Sequence, residues 1–135
     1  MRSGVGAAPN PDPVVIVIDD DLAVRNSLRF SLQIEGFSVR AYASGAELLD
    51  GAELPRRGCL VVDYFLPAMN GLDVLRALRE RKVTLPALLV TSHPSEAVRK
   101  QAALAGVTII EKPLLGNVLV DGIRDALARD TKRNS

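Results

Sequence analysis

Five short apolar runs, at 14–19, 37–42, 58–63, 87–92 and 107–112, alternate with five stretches whose apolar residues recur at helical spacing. Such alternation, without any long-period repeat, leaves one main architecture: a parallel sheet with right-handed crossovers and helices on both faces. The third run, GCLVVD, is continuously apolar, as a strand buried on both sides must be. It stops at a single carboxylate, Asp63, before YFLPAMNG. The carboxyl edge of an open parallel sheet is where ligands bind, because its loops stand clear of the packed helices. Asp63 is therefore a candidate nucleophile or metal ligand as well as an ordinary turn residue.

The other segments follow the same grammar. VVIVID ends in Asp19, Asp20 and Asp21, and the helix after it sets Val24, Leu28, Ser31 and Leu32 on one side. Asp21 reads as the acid that starts this helix, and Gly36 as the stop. FSVRAY alternates like a strand, and Ser44 with Glu47 predicts a capping box for GAELLDG. Leu72, Leu75 and Leu78 form the stripe of a third helix, and Pro86 opens the strand ALLVTS. A fourth helix over 95–105 carries Val98, Ala102 and Ala105 on one face, ended by Gly106. VTIIEK finishes at Lys112 before Pro113, and the last helix stacks Leu115, Leu119, Ile123 and Leu127 at intervals of four. Residues 1–13, rich in Gly, Ala and Pro, read as a disordered arm, 14–128 as the domain, and 129–135 as a fraying polar tail.

A chain of 135 residues can bury a core without metal or disulfide staples. A formal charge of +1 gives no reason to expect a nucleic acid or membrane surface as partner. The single cysteine, Cys59, falls in a buried strand and reads as a small core residue in a reducing compartment. No apolar run approaches a membrane span and the leader has no hydrophobic segment, so a cytoplasmic location is expected.

Four of the five strands end in groups that can handle a charged ligand: Asp19 and Asp20, Asp63, Thr91 with Ser92, and Lys112. Gathered carboxylates raise one another's pKa unless a cation neutralises them, which calls for a divalent ion or Lys112 beside them. All-oxygen ligands favour Mg²⁺ or Ca²⁺ over zinc, and few carboxylates plus water suit Mg²⁺. That arrangement is also what phosphoryl transfer needs. Lysine and metal would neutralise the phosphoryl oxygens, Thr91 would donate a hydrogen bond, and Asp63 would attack in line to form an aspartyl phosphate.

The pieces VIDDD, VVDYFLPAMNG, LLVTS and IIEKP, in that order and each at a strand end, resemble the receiver domain of two-component response regulators, most of all the FixJ subgroup. The resemblance covers 14–128. It implies a flavodoxin-like (CheY-like) sheet of order 2-1-3-4-5. It implies transfer of a phosphoryl group to Asp63 from a sensor histidine kinase or phosphotransfer protein, and no turnover of an external substrate. Asp20 and the carbonyl of Phe65 would join Asp63 in holding Mg²⁺, with Asp19 acting through water. Lys112 would hold a phosphoryl oxygen, aimed by a cis bond to Pro113, and Thr91 would follow the phosphate. Output would leave through the surface of helix 4, strand 5 and helix 5, with Val98, Leu104 and Val107 contributing to a phosphorylation-enhanced homodimer.

Departures from the family pattern bear on that expectation. Ile109 stands where an aromatic switch residue is usual, so the signal would travel by backbone shifts instead. Leu66 replaces a usual methionine with little change of volume. Phe65 and His93 flank the route of the hydrolytic water and are expected to alter the phosphoryl lifetime. Two rival readings remain. A haloacid-dehalogenase-like phosphatase would use Asp19 and Asp21 in a DxDx[TV] motif, but Ala23 fills its last place and the chain is short for that fold. A pseudo-receiver would keep the fold as a phosphorylation-independent interaction module.

Overall fold

The computed structural model describes residues 13–51 and 53–133. The arm expected over 1–13 lies outside the described residues except for Pro13. Five strands and five helices alternate: β1 (Val14–Ile18), α1 (Leu22–Ile34), β2 (Ser38–Tyr42), α2 (Gly45–Gly51), β3 (Gly58–Asp63), α3 (Gly71–Glu80), β4 (Ala87–Thr91), α4 (Glu96–Leu104), β5 (Thr108–Glu111) and α5 (Val118–Arg133).

All strand pairings are parallel and the order is β2-β1-β3-β4-β5. β1 pairs on one side with β2 and on the other with β3, so Ile18 lies opposite both Tyr42 and Val62. Every residue of β3 and β4 is buried, whereas the edge strands β2 and β5 are half open. The continuous apolar runs are thus the inner strands, and the alternating FSVRAY is an edge.

Alternate side chains build two cores. Ile16, Ile18, Leu60, Val62 and Leu89 meet Leu48 of α2, Leu72, Leu75 and Leu78 of α3 and Val98 and Ala102 of α4. Val15, Val17, Cys59, Val61, Leu88 and Val90 meet Leu32 of α1 and Leu119, Ile123 and Ala126 of α5. Each fully buried Leu or Ile in these layers contributes about 1.5–3 kcal/mol of hydrophobic free energy. Cys59 is fully buried, as expected, and burial pushes its thiol up to about 12. It is an inert packing group rather than a reactive one.

Local chemistry sets the helix ends. Asp21 caps α1, its carboxylate accepting from the backbone of Ala23 and Val24, and Gly36 turns the chain at φ +98°. Asn70 and Asp73 form a reciprocal capping box at α3.

Several expectations need correction. Ser44 accepts from Glu47 N–H, but the Glu47 carboxylate reaches Ala43 N–H rather than that of Ser44, so the box over α2 is half formed. Ala105 lies beyond the end of α4 and is exposed, and the buried line runs instead from Val98 and Ala102 to Val107. Leu115 precedes α5 and is exposed, because Gly116 at φ +58° breaks the helical spacing. α5 itself runs on to Arg133, through most of the stretch read as a polar tail.

Candidate functional site

The parallel sheet brings the ends of β1, β3, β4 and β5 to one edge. Asp19 follows β1 directly and is buried; its Oδ1 accepts from the Asp21 N–H at 2.9 Å, and its own N–H donates to the Tyr42 carbonyl. Asp20 is exposed. Asp63 is the last residue of β3 and sits opposite Val90, only 6% exposed. One carboxylate oxygen from each of Asp19, Asp20 and Asp63 lies within 4.8 Å of the others.

A cation closes the site from the far side. Lys112 Nζ lies 3.3 Å from Asp63 Oδ2, while Asp63 Oδ1 accepts from the Phe65 N–H at 3.2 Å. The lysine is delivered there by backbone pairing, since its N–H donates to the Thr91 carbonyl at 2.9 Å. Its bond to Pro113 is cis. Thr91 ends β4 almost wholly buried, its hydroxyl donating to the Ser92 carbonyl at 3.4 Å. Asp19, Asp20, Asp63, Thr91 and Lys112 are thus gathered at one edge.

The two flanking residues differ from that set in being exposed. Phe65 is 63% exposed, and its ring stands edge-on to Tyr64 at 4.9 Å. His93 is exposed in the β4–α4 loop with φ +45°, a left-handed conformation that His tolerates better than most residues. Ile109 is half-buried against the core on the α3 and α4 side. Of the apolar residues expected on the output face only Leu104 is exposed, at 81%, whereas Val98 and Val107 belong to the core. Sequence reasoning missed Arg25, whose Nη1 donates to the Asp19 carbonyl at 2.8 Å. Its place one turn into α1, beyond the acids, was the available signal.

Burial raises the Asp63 carboxyl above its ordinary range; Lys112 pulls it back down, and Asp19 pushes it up again. The folded protein therefore holds this proton more tightly than the unfolded chain does. Its stability falls as pH rises through the window between the ordinary and the raised values. Asp63→Asn is expected to be more stable than wild type at neutral pH by about 1 kcal/mol, the usual sign for a strained functional group. The advantage should shrink towards zero as pH falls below the ordinary carboxylate range, where this carboxyl is protonated in the folded and the unfolded wild type alike. Urea midpoints in metal-free buffer across this range provide the check, and a constant or growing difference on acidification would contradict it.

The donor set is all oxygen, without histidine or cysteine, and so fits Mg²⁺ or Ca²⁺ rather than a softer metal. A wide groove lined by Arg79, Thr84, Thr108 and Arg129 opens at the opposite edge of the sheet, among the starts of β4 and β5. It lies away from the acids and from the edge where such sheets bind ligands. No helix among the described residues is long and apolar enough to cross a membrane.

Comparison with known proteins agrees with this geometry. The response regulator receiver domain profile matches residues 15–124. The transcriptional regulatory protein FixJ of Rhizobium meliloti is 36% identical over 116 residues, covering 85% of this chain and 57% of that protein. The response regulator MprA of Mycobacterium avium is 40% identical over 119 residues, covering 87% of this chain and 52% of that protein. The chain thus spans little more than half the length of these curated relatives. Among solved structures, FixJ-N superposes with a TM-score of 0.79 at 34% identity, covering 88% of this chain and 96% of that one. With the profile match covering most of its length and the sheet order that the FixJ resemblance implied, the chain belongs to the response regulator receiver domains of two-component systems.

Proposed function

We propose that this domain accepts a phosphoryl group on Asp63 from a phosphohistidine of a sensor histidine kinase or phosphotransfer protein. The observation that carries the reading is the Asp63 carboxylate itself, buried at a strand end between two further acids and the Lys112 ammonium. A carboxylate raised by burial and held by a lysine and a backbone N–H is fixed in place and retains nucleophilic basicity. One Asp63 oxygen attacks phosphorus as the P–N bond breaks; the electron pair leaves on the imidazole nitrogen, which takes up a proton. Lys112 then faces a phosphoryl oxygen instead of Asp63 Oδ2, and the Thr91 hydroxyl turns from the Ser92 carbonyl to another.

Asp20, Asp63 and the Phe65 carbonyl would hold Mg²⁺, with Asp19 acting through water. The bound ion supplies charge neutralisation at the transferring group. Thr91 passes the change into the loop before α4. Since Ile109 is aliphatic and already packed inward, that signal is carried by the backbone of the loop and of β5. Leu104, at the end of α4, offers exposed apolar area for phosphorylation-enhanced self-association. Light scattering with and without phosphorylation tests this, and an unchanged monomer mass rejects it.

Phe65 is expected to protect the acyl phosphate, because an exposed ring beside Asp63 offers the hydrolytic water no hydrogen bond. Phe65→Asn should speed decay by about tenfold, the effect of one added hydrogen bond of about 1.4 kcal/mol in the transition state. His93→Ala should change the decay rate as well, and unchanged rates in both variants would remove these residues from the account.

A small acyl phosphate can stand in for the kinase, because the acceptor site supplies much of the catalysis. Incubation with acetyl phosphate and Mg²⁺ should add one phosphoryl group by intact mass, and none in Asp63→Asn or without metal. No addition to wild type under any condition would favour a phosphorylation-independent interaction module instead.

A further inference from the structure

The two acids at the end of β1 differ in how they are held. Asp19 is buried and its carboxylate is fixed by the Asp21 N–H. Asp20 is exposed, and its carboxylate makes no hydrogen bond to any described residue. Its place near the other two acids is therefore set by the backbone that delivers it. The carbonyl of the peptide joining Asp19 to Asp20 receives the Arg25 guanidinium, Nη1 to O at 2.8 Å, from one turn into α1. Arg25 is half-buried there, and α1 is itself fixed by its Asp21 cap and by packing of Leu32 in the core.

We propose that Arg25 is a positioning residue for the divalent-cation site: it holds the Asp19–Asp20 peptide so that the Asp20 carboxylate faces Asp63. The inference rests on the metal-site reading above. A hydrogen-bond donor behind a ligand-bearing peptide acts as outer-shell partners do at metal centres, where losing one typically weakens binding by about 10–100-fold. The charge of Arg25 acts in the opposite sense. A guanidinium near three carboxylates competes with a cation for their field, so removing it should by electrostatics alone tighten metal binding. The two effects differ in sign, and a single substitution distinguishes them.

Mn²⁺ is the probe, counted by loss of the free aqua-ion signal in electron paramagnetic resonance on the full chain. Wild type should bind one Mn²⁺, and Asp20→Asn should lose it. Arg25→Met keeps an unbranched stem and a good helix former but has no donor; it should bind Mn²⁺ about tenfold more weakly. Arg25→Lys keeps a flexible donor that can reach the same carbonyl, and should recover affinity to within about threefold of wild type. The metal-free Tm of both variants should stay within a few degrees of wild type, whereas a merely structural role would move Tm and leave affinity unchanged well below melting. Equal or tighter binding by Arg25→Met overturns the positioning role while leaving the metal site standing. Absence of Mn²⁺ binding in wild type overturns the metal-site reading and the inference with it.

Discussion

Replacing Gly71 with alanine is expected to destabilise the domain by about 2–4 kcal/mol, because the change overpacks a site that backbone encloses on one side. A Cβ built on Gly71 would lie 2.6 Å from the carbonyl oxygen of Asp63 and 2.7 Å from Leu89 Cδ1. The leucine tip can move; the strand carbonyl cannot, since β3 is clamped between β1 and β4. The Gly71 N–H also donates to the Tyr64 carbonyl at 2.9 Å, which draws the start of α3 against the very loop that follows Asp63. Relief requires α3 to shift, taking Leu72 and Leu75 out of register with the core. Denaturant unfolding measures the loss, and a change below about 0.5 kcal/mol, the range of ordinary surface substitutions, would contradict this account of the junction. Gly71→Ala should also slow phosphoryl uptake, since the start of α3 that moves is bonded to the loop directly after the nucleophile.

Lys112→Met should reduce the rate of phosphoryl uptake from acetyl phosphate by about 100–1000-fold, as loss of one preorganised charge donor does elsewhere. The lysine side chain lies 3.3 Å from Asp63 Oδ2 and is only one-third exposed, so its field is weakly screened. Its contribution to stability is a different matter. A partly exposed pair offsets little of its own desolvation, and the raised carboxyl of Asp63 says the same. Tm should therefore move by only a few degrees while the rate collapses. Single-turnover uptake at saturating Mg²⁺ separates the two quantities. A variant that reacts at the wild-type rate would show that Lys112 is not the group that meets the developing charge, and one that unfolds would contradict the small contribution to stability.

The site was legible to the extent that its members terminate apolar runs. Asp19, Asp20, Asp63, Thr91 and Lys112 each stand where a run of β-branched or aliphatic residues stops, and parallel strands place such stops on one edge. Contacts that depend on loop geometry left no such trace. The Phe65 N–H on Asp63 arises from a turn whose torsions no periodicity encodes, and for the Arg25 guanidinium on the Asp19 carbonyl the only signal is a place one helical turn beyond the acids. Continuing the i, i+4 pattern across Gly116 misplaces Leu115 in the last helix, although Pro113 and that glycine both argue for a loop before α5. The opposite slip arises at the end, where 129–135 reads as a tail for its polarity. Arg and Lys are good helix formers, and α5 continues through them to Arg133. Val98 and Val107 show the limit of reading a surface from hydrophobicity: apolar side chains expected on an output face serve the core, and only Leu104 faces out.

The central claim is that Asp63, and no other carboxylate of the cluster, carries the phosphoryl group. Borohydride reduction of the protein after exposure to acetyl phosphate and Mg²⁺ converts an acyl phosphate to an alcohol, so a phosphorylated aspartate is read as homoserine by peptide sequencing. The account predicts homoserine in place of Asp63 alone, with Asp19 and Asp20 unchanged. Homoserine at position 19 would contradict it and support a phosphatase-like nucleophile on β1, and its absence from all three positions in a protein that had gained phosphate would place the chemistry outside this site.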